Sequence, residues 1–199
     1  MKTSLFVLFL ALGCPLLVLT GCAQKMAPAP YTAEQIRAAN PPGTVYRYKV
    51  EATGQPVQIR VMAFTSGASA EKAEVRNELL DEAGQGKTPP SIDHAAWDDL
   101  RKHGEFPQSA LTGVEPGTIE VPAGKFDVSI YTVKAPDGAT MRFYFAKSYA
   151  GPPVLFYQEQ GGRRVMTSTL IERKSGGSQG VTQAPEPPLS GAPSDGGAE

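Results

Sequence analysis

Reactive side chains are scarce in this chain. Two cysteines and two histidines stand among 199 residues, and two cysteines cannot build a disulfide-dense scaffold. Charge of one sign is lacking as well. A net charge of −1 leaves no clustered Lys/Arg footprint of the kind nucleic-acid phosphates require. Long apolar runs are missing too: the longest, from Leu5 to Leu19, is interrupted by Pro15 and falls short of the ~18 apolar residues that cross a bilayer as a helix. What is abundant is turn chemistry. The 21 Gly and 18 Pro exceed the average share of about 12 %, so part of the chain reads as linker and the folded unit is smaller than the whole.

The first 22 residues, MKTSLFVLFLALGCPLLVLTGC, have one Lys, an apolar stretch of signal-peptide length and two small residues before Cys22, the pattern of an export signal. The ending Leu19-Thr20-Gly21-Cys22 resembles the bacterial lipobox. That resemblance implies removal of residues 1–21, a diacylglyceryl group on the Cys22 thiol and an acylated (palmitate-type) amino group. Several buried chains make an effectively permanent tether, since each methylene contributes ~0.8 kcal/mol. Residue 23 is Ala rather than the Asp that resembles an inner-membrane retention signal, which favours the outer membrane, facing the periplasm. Cys14 lies in the discarded segment, so the folded domain has no disulfide.

Residues 22–43 carry Pro28, Pro30, Pro41 and Pro42 with few large apolar side chains and read as a spacer, although TAEQIRAA can form two helical turns capped by Thr32. Residues 175–199 hold Gly, Pro and Ser without any Lys, Arg or aromatic residue; such a segment cannot offset its ordering entropy and reads as a disordered tail. Residues 44–174 remain, about 130 positions, a common size for one domain.

Within that domain the period is mostly two. TVYRYKVEA sets Tyr46, Tyr48 and Val50 opposite Arg47, Lys49 and Glu51, and VQIRVMAF follows a Gly-Gln-Pro turn, which makes a hairpin. FDVSIYTV, TMRFYFAK, VLFYQEQ and RVMTSTLIER are four more strands separated by Pro-Asp-Gly, Gly-Pro-Pro and Gly-Gly turns. No connection is long enough for parallel crossovers, so the expected topology is an antiparallel meander. The segment 71–83 has helix-forming composition at strand spacing, and both readings stay open. Ser91-Ile92-Asp93 followed by HAAWDDLRKH and Gly104 predicts a capped helix of about three turns with Trp97 and Leu100 inward. The fold class is therefore mainly β (α+β): an antiparallel curved sheet or half-barrel with one short helix packed on it.

No catalytic, cofactor-binding or metal-binding set emerges. His94 and His103 would point to opposite sides of that helix and cannot share a metal. Gly84-Gln85-Gly86-Lys87-Thr88 ends like a phosphate loop, but Asp81 stands where the motif needs glycine. Arg163-Arg164 forms a basic hairpin tip, either solvated turn chemistry or a contact for anionic lipid or glycan. The most informative stretch is MRFYFAKSYAGPPVLFYQE. Met141, Phe143 and Phe145 share one face and Tyr144 the other, while Phe156 and Tyr157 split likewise. A sheet apolar on both sides needs two covers, so Phe143, Tyr144, Phe145, Phe156 and Tyr157 are the candidate ligand or partner residues.

From about Ala96 to Arg173 the order of phrases GEFP, TIEVPAGKFDV, YTV, RFYFAK and GPPV resembles uncharacterised bacterial envelope lipoproteins and looks like the curved antiparallel sheets of LolA/LolB-type periplasmic domains. The resemblance covers under half the chain and includes no catalytic residue. It implies a membrane-anchored, non-enzymatic module that presents a curved sheet to an acyl chain or to another envelope protein. The alternative is an envelope hydrolase or modifying enzyme with dispersed residues. A binding module requires a concave face lined with Tyr, Phe, Val and Met. An enzyme requires a cleft in which two or more of His94, His103, Asp98, Asp99 and Glu105 converge.

Overall fold

Alternating strands and tight turns build a single nine-stranded antiparallel sheet. The computed structural model describes residues 25–177; the signal segment 1–21, Cys22 and the tail beyond 177 lie outside the described residues. The strands are β1 Val45–Ala52, β2 Gln58–Phe64, β3 Lys72–Asp81, β4 Ser91–Ala96, β5 Leu111–Val121, β6 Gly124–Lys134, β7 Thr140–Ala146, β8 Leu155–Gln160 and β9 Arg163–Lys174, with helices α1 Ala33–Ala39 and α2 Trp97–Lys102. Their order in the sheet is β4-β3-β2-β1-β9-β8-β7-β6-β5, two meanders joined where the first strand pairs with the last. Among the described residues no helix is long and apolar enough to cross a membrane.

Strict up-and-down order gives the sheet two rims. Turns 53–57, 82–90, 135–139 and 161–162, together with the start of β5, lie at what we call the lower rim; turns 65–71, 122–123 and 147–154 lie at the upper one. The chain leaves β4 at the upper rim on one edge of the sheet and enters β5 at the lower rim on the other. Segment 97–110 therefore crosses the sheet, and residues 25–40 lie along it: α1 packs on α2, Ala27 N–H donates to the Phe106 carbonyl at 2.8 Å, and a side chain at Gly104 would meet Pro30 at 2.8 Å.

The structure corrects some expectations and decides others. Residues 25–43 are not a free spacer: Ile36 belongs to the main core and Asn40 is 1 % exposed. Thr32 does cap α1, in a reciprocal capping box with Gln35. The sheet thus carries two short helices rather than one. Segment 71–83 is strand, β3. Val75 and Leu79, four apart, share a face in either conformation, and pairing with strands on both sides overrides helix propensity. The helix expected from Ser91 starts only at Trp97; Ser91–Ala96 pairs with β3 instead, and Asn77 Nδ2 donates to Asp93 at 2.7 Å. Trp97 and Leu100 do point inward. Strand β5 shows no clear alternation because Gly113, Pro116 and Gly117 interrupt it; as an edge strand it tolerates the missing donor of Pro116.

Candidate functional site

The hairpin register decides what faces inward. Tyr46 pairs with Met62, Tyr48 with Arg60 and Val50 with Gln58, and directly paired residues share a face. The inner face of β2 is therefore Gln58, Arg60, Met62 and Phe64, while Ile59 and Val61 lie outside. On the other half Phe143 pairs with Phe156 and with Tyr131. Strands β2 and β7 are four places apart, about 19 Å in a flat sheet. Yet Met62 and Phe64 line one cavity of about 260 Å³ together with Phe143, Phe145 and residues of both helices. Only a sheet curled with this face inside brings them together.

The upper part of the concavity is closed by hydrogen bonds. Tyr46 Oη donates to Asn40 Oδ1 at 2.6 Å; Asn40 Nδ2 donates to the carbonyls of Ile36 at 2.7 Å and Ala150 at 2.9 Å. Arg173 donates to Tyr46 Oη and to the Ala39 carbonyl and lies 4.2 Å over the Tyr149 ring. Gly151 makes this closure possible, since a Cβ there would stand 2.6 Å from the Tyr46 hydroxyl. Trp97 stacks on Phe64 at 6.1 Å and donates to the Ser69 carbonyl at 3.0 Å. Tyr31 seals the opposite wall, donating to the Ala146 carbonyl with its ring edge-on to Phe145.

Toward the lower rim the same face is not closed. A second cavity of about 360 Å³ is lined by Tyr48, Val50, Leu79, Phe156 and Met166 among others. It shares Arg60, Met62, Phe143, Pro152 and Pro153 with the first, so the two form one apolar trough running from beneath the helices to the lower rim. Val50, Leu79, Phe143, Phe156 and Met166 keep partial exposure there, and Arg60 is exposed at the lip with no ion pair among the described residues. The Tyr48 hydroxyl is buried in this trough without a hydrogen-bond partner among the described residues, and burial pushes its phenol well above the ordinary pKa. A walled apolar channel with one idle donor inside and one cation at its lip suits an amphiphile: an apolar chain with an acceptor group.

The five candidate aromatic residues divide as the alternation implies. Phe143, Phe145 and Phe156 line the trough, with ring centroids 6.3 Å apart for Phe143–Phe145 and 4.8 Å for Phe143–Phe156. Tyr144 and Tyr157 lie on the outer face, their hydroxyls 3.4 Å apart, and Arg164 caps the Tyr157 ring at 4.0 Å. The residues that the enzyme alternative needs are dispersed. His94 sits on β4, 3.8 Å from Glu74; Asp98 and Asp99 are exposed and paired with Arg101 and Lys102; Glu105 is bound to Arg101. Only His103 reaches the trough. No group of three metal-ligating side chains exists among the described residues.

No family model matches the chain, and no curated protein matches it either. The chain is similar in outline to solved structures of MucB. They include the Pseudomonas aeruginosa MucA/MucB complex (14 % identity, TM-score 0.47, 72 % of this chain and 55 % of that one), MucB with MucA(peri) (14 %, 0.48, 73 % and 53 %) and MucB by itself (13 %, 0.48, 79 % and 60 %). This chain spans little more than half the length of those proteins. At such identity and overlap the likeness concerns the fold outline only.

Sequence reasoning grouped Tyr48 with Tyr46 and Val50 on one face of a half-buried strand but missed Arg60, Met62, Met166 and the Pro152-Pro153 wall as trough residues. The signal for Arg60 was present. A short turn fixes the hairpin register, and the register seats Arg60 opposite Tyr48.

Proposed function

We propose that the chain is an envelope protein tethered through acylated Cys22, facing the periplasm from the outer membrane, and that its sheet is a non-catalytic module holding one acyl chain in the trough. The observation that supports this reading most directly is the half-buried run Phe143-Phe156-Met62-Met166 beside the unpartnered Tyr48 hydroxyl. A buried hydroxyl without a partner costs roughly 1–3 kcal/mol. An ester or carboxylate oxygen at the head of an acyl chain removes that cost, and Arg60 at the lip favours an anionic head.

The test uses the full chain with Cys22→Ser, prepared without detergent from the soluble fraction of the cell envelope. Native mass spectrometry should show a co-purifying lipid of acyl-chain mass, and a fluorescent fatty acid should bind saturably and be displaced by palmitate. Absence of both would leave the trough without a ligand and overturn the acyl-chain reading. For the anchor, mass spectrometry of the unaltered protein should find the acyl mass on Cys22, and Cys22→Ser should release the protein from membranes.

A further inference from the structure

The described chain begins stapled to the sheet. Gln108 N–H donates to the Lys25 carbonyl at 2.9 Å, and Met26 forms a β-bridge with Pro107. Pro107 and Gln108 lead directly into β5, whose first residue lies at the lower rim. Cys22 is three residues before Lys25, and a chain spans at most about 3.6 Å per residue, so the acyl attachment point lies no more than about 11 Å from Lys25, itself beside the entry to β5. This reach is far shorter than the sheet itself.

From this placement we infer that the lower rim is the membrane-facing surface of the molecule: turns 53–57, 82–90, 135–139 and 161–162 rest against the headgroups of the bilayer that holds Cys22, and the open end of the trough faces that bilayer. The inference rests on acylation of Cys22. Three features of the rim agree with it. Met26, 42 % exposed, is a large apolar side chain without cover beside the staple. The trough stretch lined by Val50, Gln58, Leu79 and Met166 lies toward this rim. The Arg163-Arg164 tip, the basic pair of the sequence, is the β8–β9 turn of the same rim. Lys87, Lys134, Arg163 and Arg164 stand there with Glu82, Asp137 and Glu159, so the tether and not net charge fixes the orientation. A lipid then enters the trough sideways from the membrane without crossing bulk water.

The acylated full chain, reconstituted into phosphatidylethanolamine/phosphatidylglycerol vesicles carrying nitroxide-headgroup lipid, tests this with single cysteines bearing an environment-sensitive fluorophore. Cys22 is blocked by its thioether, so only the introduced thiol reacts. Gln55→Cys and Gln85→Cys place the label in exposed lower-rim turns, and Ser148→Cys places it in an exposed upper-rim turn. Quenching at positions 55 and 85 should exceed that at 148 several-fold. Equal quenching, or stronger quenching at 148, in protein that floats with the vesicles overturns the orientation and leaves the anchor standing. Full-length protein that fails to float overturns the acylation reading and the orientation with it.

Discussion

Tyr46 and Tyr48 stand two residues apart on one strand, face the same side of the sheet and stack at 6.4 Å, yet they meet opposite surroundings. The Tyr46 hydroxyl is held between Asn40 and Arg173, inside a core closed by α1, the 147–154 turn and Trp97. The Tyr48 hydroxyl is equally buried and has no partner. Its cross-strand neighbour Leu170 is fully buried, whereas Val50, Met62, Phe143 and Phe156 on the trough side keep partial exposure. The inner face of one curled sheet is thus two regions: an upper one covered by α1, the 147–154 turn and Trp97, where Tyr46 and Asn40 satisfy each other although the Tyr149 hydroxyl is buried without a partner among the described residues, and a lower one with apolar, partly exposed walls and the idle Tyr48 donor. The first region is held by the elements that cover it, and the second keeps apolar surface that a ligand can cover.

The comparison breaks most sharply at Leu170 and Phe156. Leu170 is 0 % exposed within the main core, and Leu170→Ala should cost about 2–5 kcal/mol, as cavity-forming changes in cores do. Phe156 lines the trough and is only half-buried; Phe156→Ala should cost about 1 kcal/mol of stability while weakening acyl-probe binding about tenfold. Urea unfolding of both variants beside the fatty-acid titration decides the matter. Equal destabilisation would make the trough ordinary core.

Asn40→Ala comes next. It strips the Tyr46 hydroxyl of its acceptor and leaves the Ile36 and Ala150 carbonyls short of a donor, at about 1–3 kcal/mol. Because Asn40 ties α1 to the 147–154 turn, hydrogen exchange should rise in both segments together. A rise confined to α1 would show that the turn is held by Arg173 alone.

How far these regions could be read from sequence depends on what kind of signal each leaves. Period-two alternation located β1, β2 and β6 to β9, because a half-buried strand leaves a mark on every second residue; in β2 the alternating Ile59 and Val61 fall on the outer face. It could not resolve β3, where Val75 and Leu79 satisfy both periods, nor β4, where Ser91 and Asp93 imitate a helix cap while pairing with β3. The 25–43 segment was misread for a related reason. Its prolines look like linker, but only the fold shows that Ile36, Asn40 and Tyr31 each fill one specific place on the inner face. The aromatic stretch of β7 and β8 supplies Phe143 and Phe156 to the trough's far wall. The near wall, Arg60 and Met62, depends on a cross-strand register that composition does not carry.

Tyr48→Phe is the smallest change and the sharpest probe of the contrast. Removing a buried hydroxyl that has no partner takes away a desolvation cost, so stability at neutral pH should change by no more than about 0.5 kcal/mol or rise slightly, whereas Tyr46→Phe should lose about 1 kcal/mol with its hydrogen bond. Alkali separates them further. Burial raises the folded-state pKa of Tyr48 well above that of the unfolded chain. Its protonated form is therefore favoured by the fold: that contribution is intact below the ordinary tyrosine pKa of about 10 and is lost as pH rises above it toward the folded value. The wild type should thus lose stability above about pH 10, and Tyr48→Phe should flatten part of that decline in urea titrations taken across the range. Affinity for the acyl probe should fall several-fold in the same variant. An unchanged affinity would mean that the hydroxyl meets no part of the ligand, leaving Arg60 as the polar end of the trough.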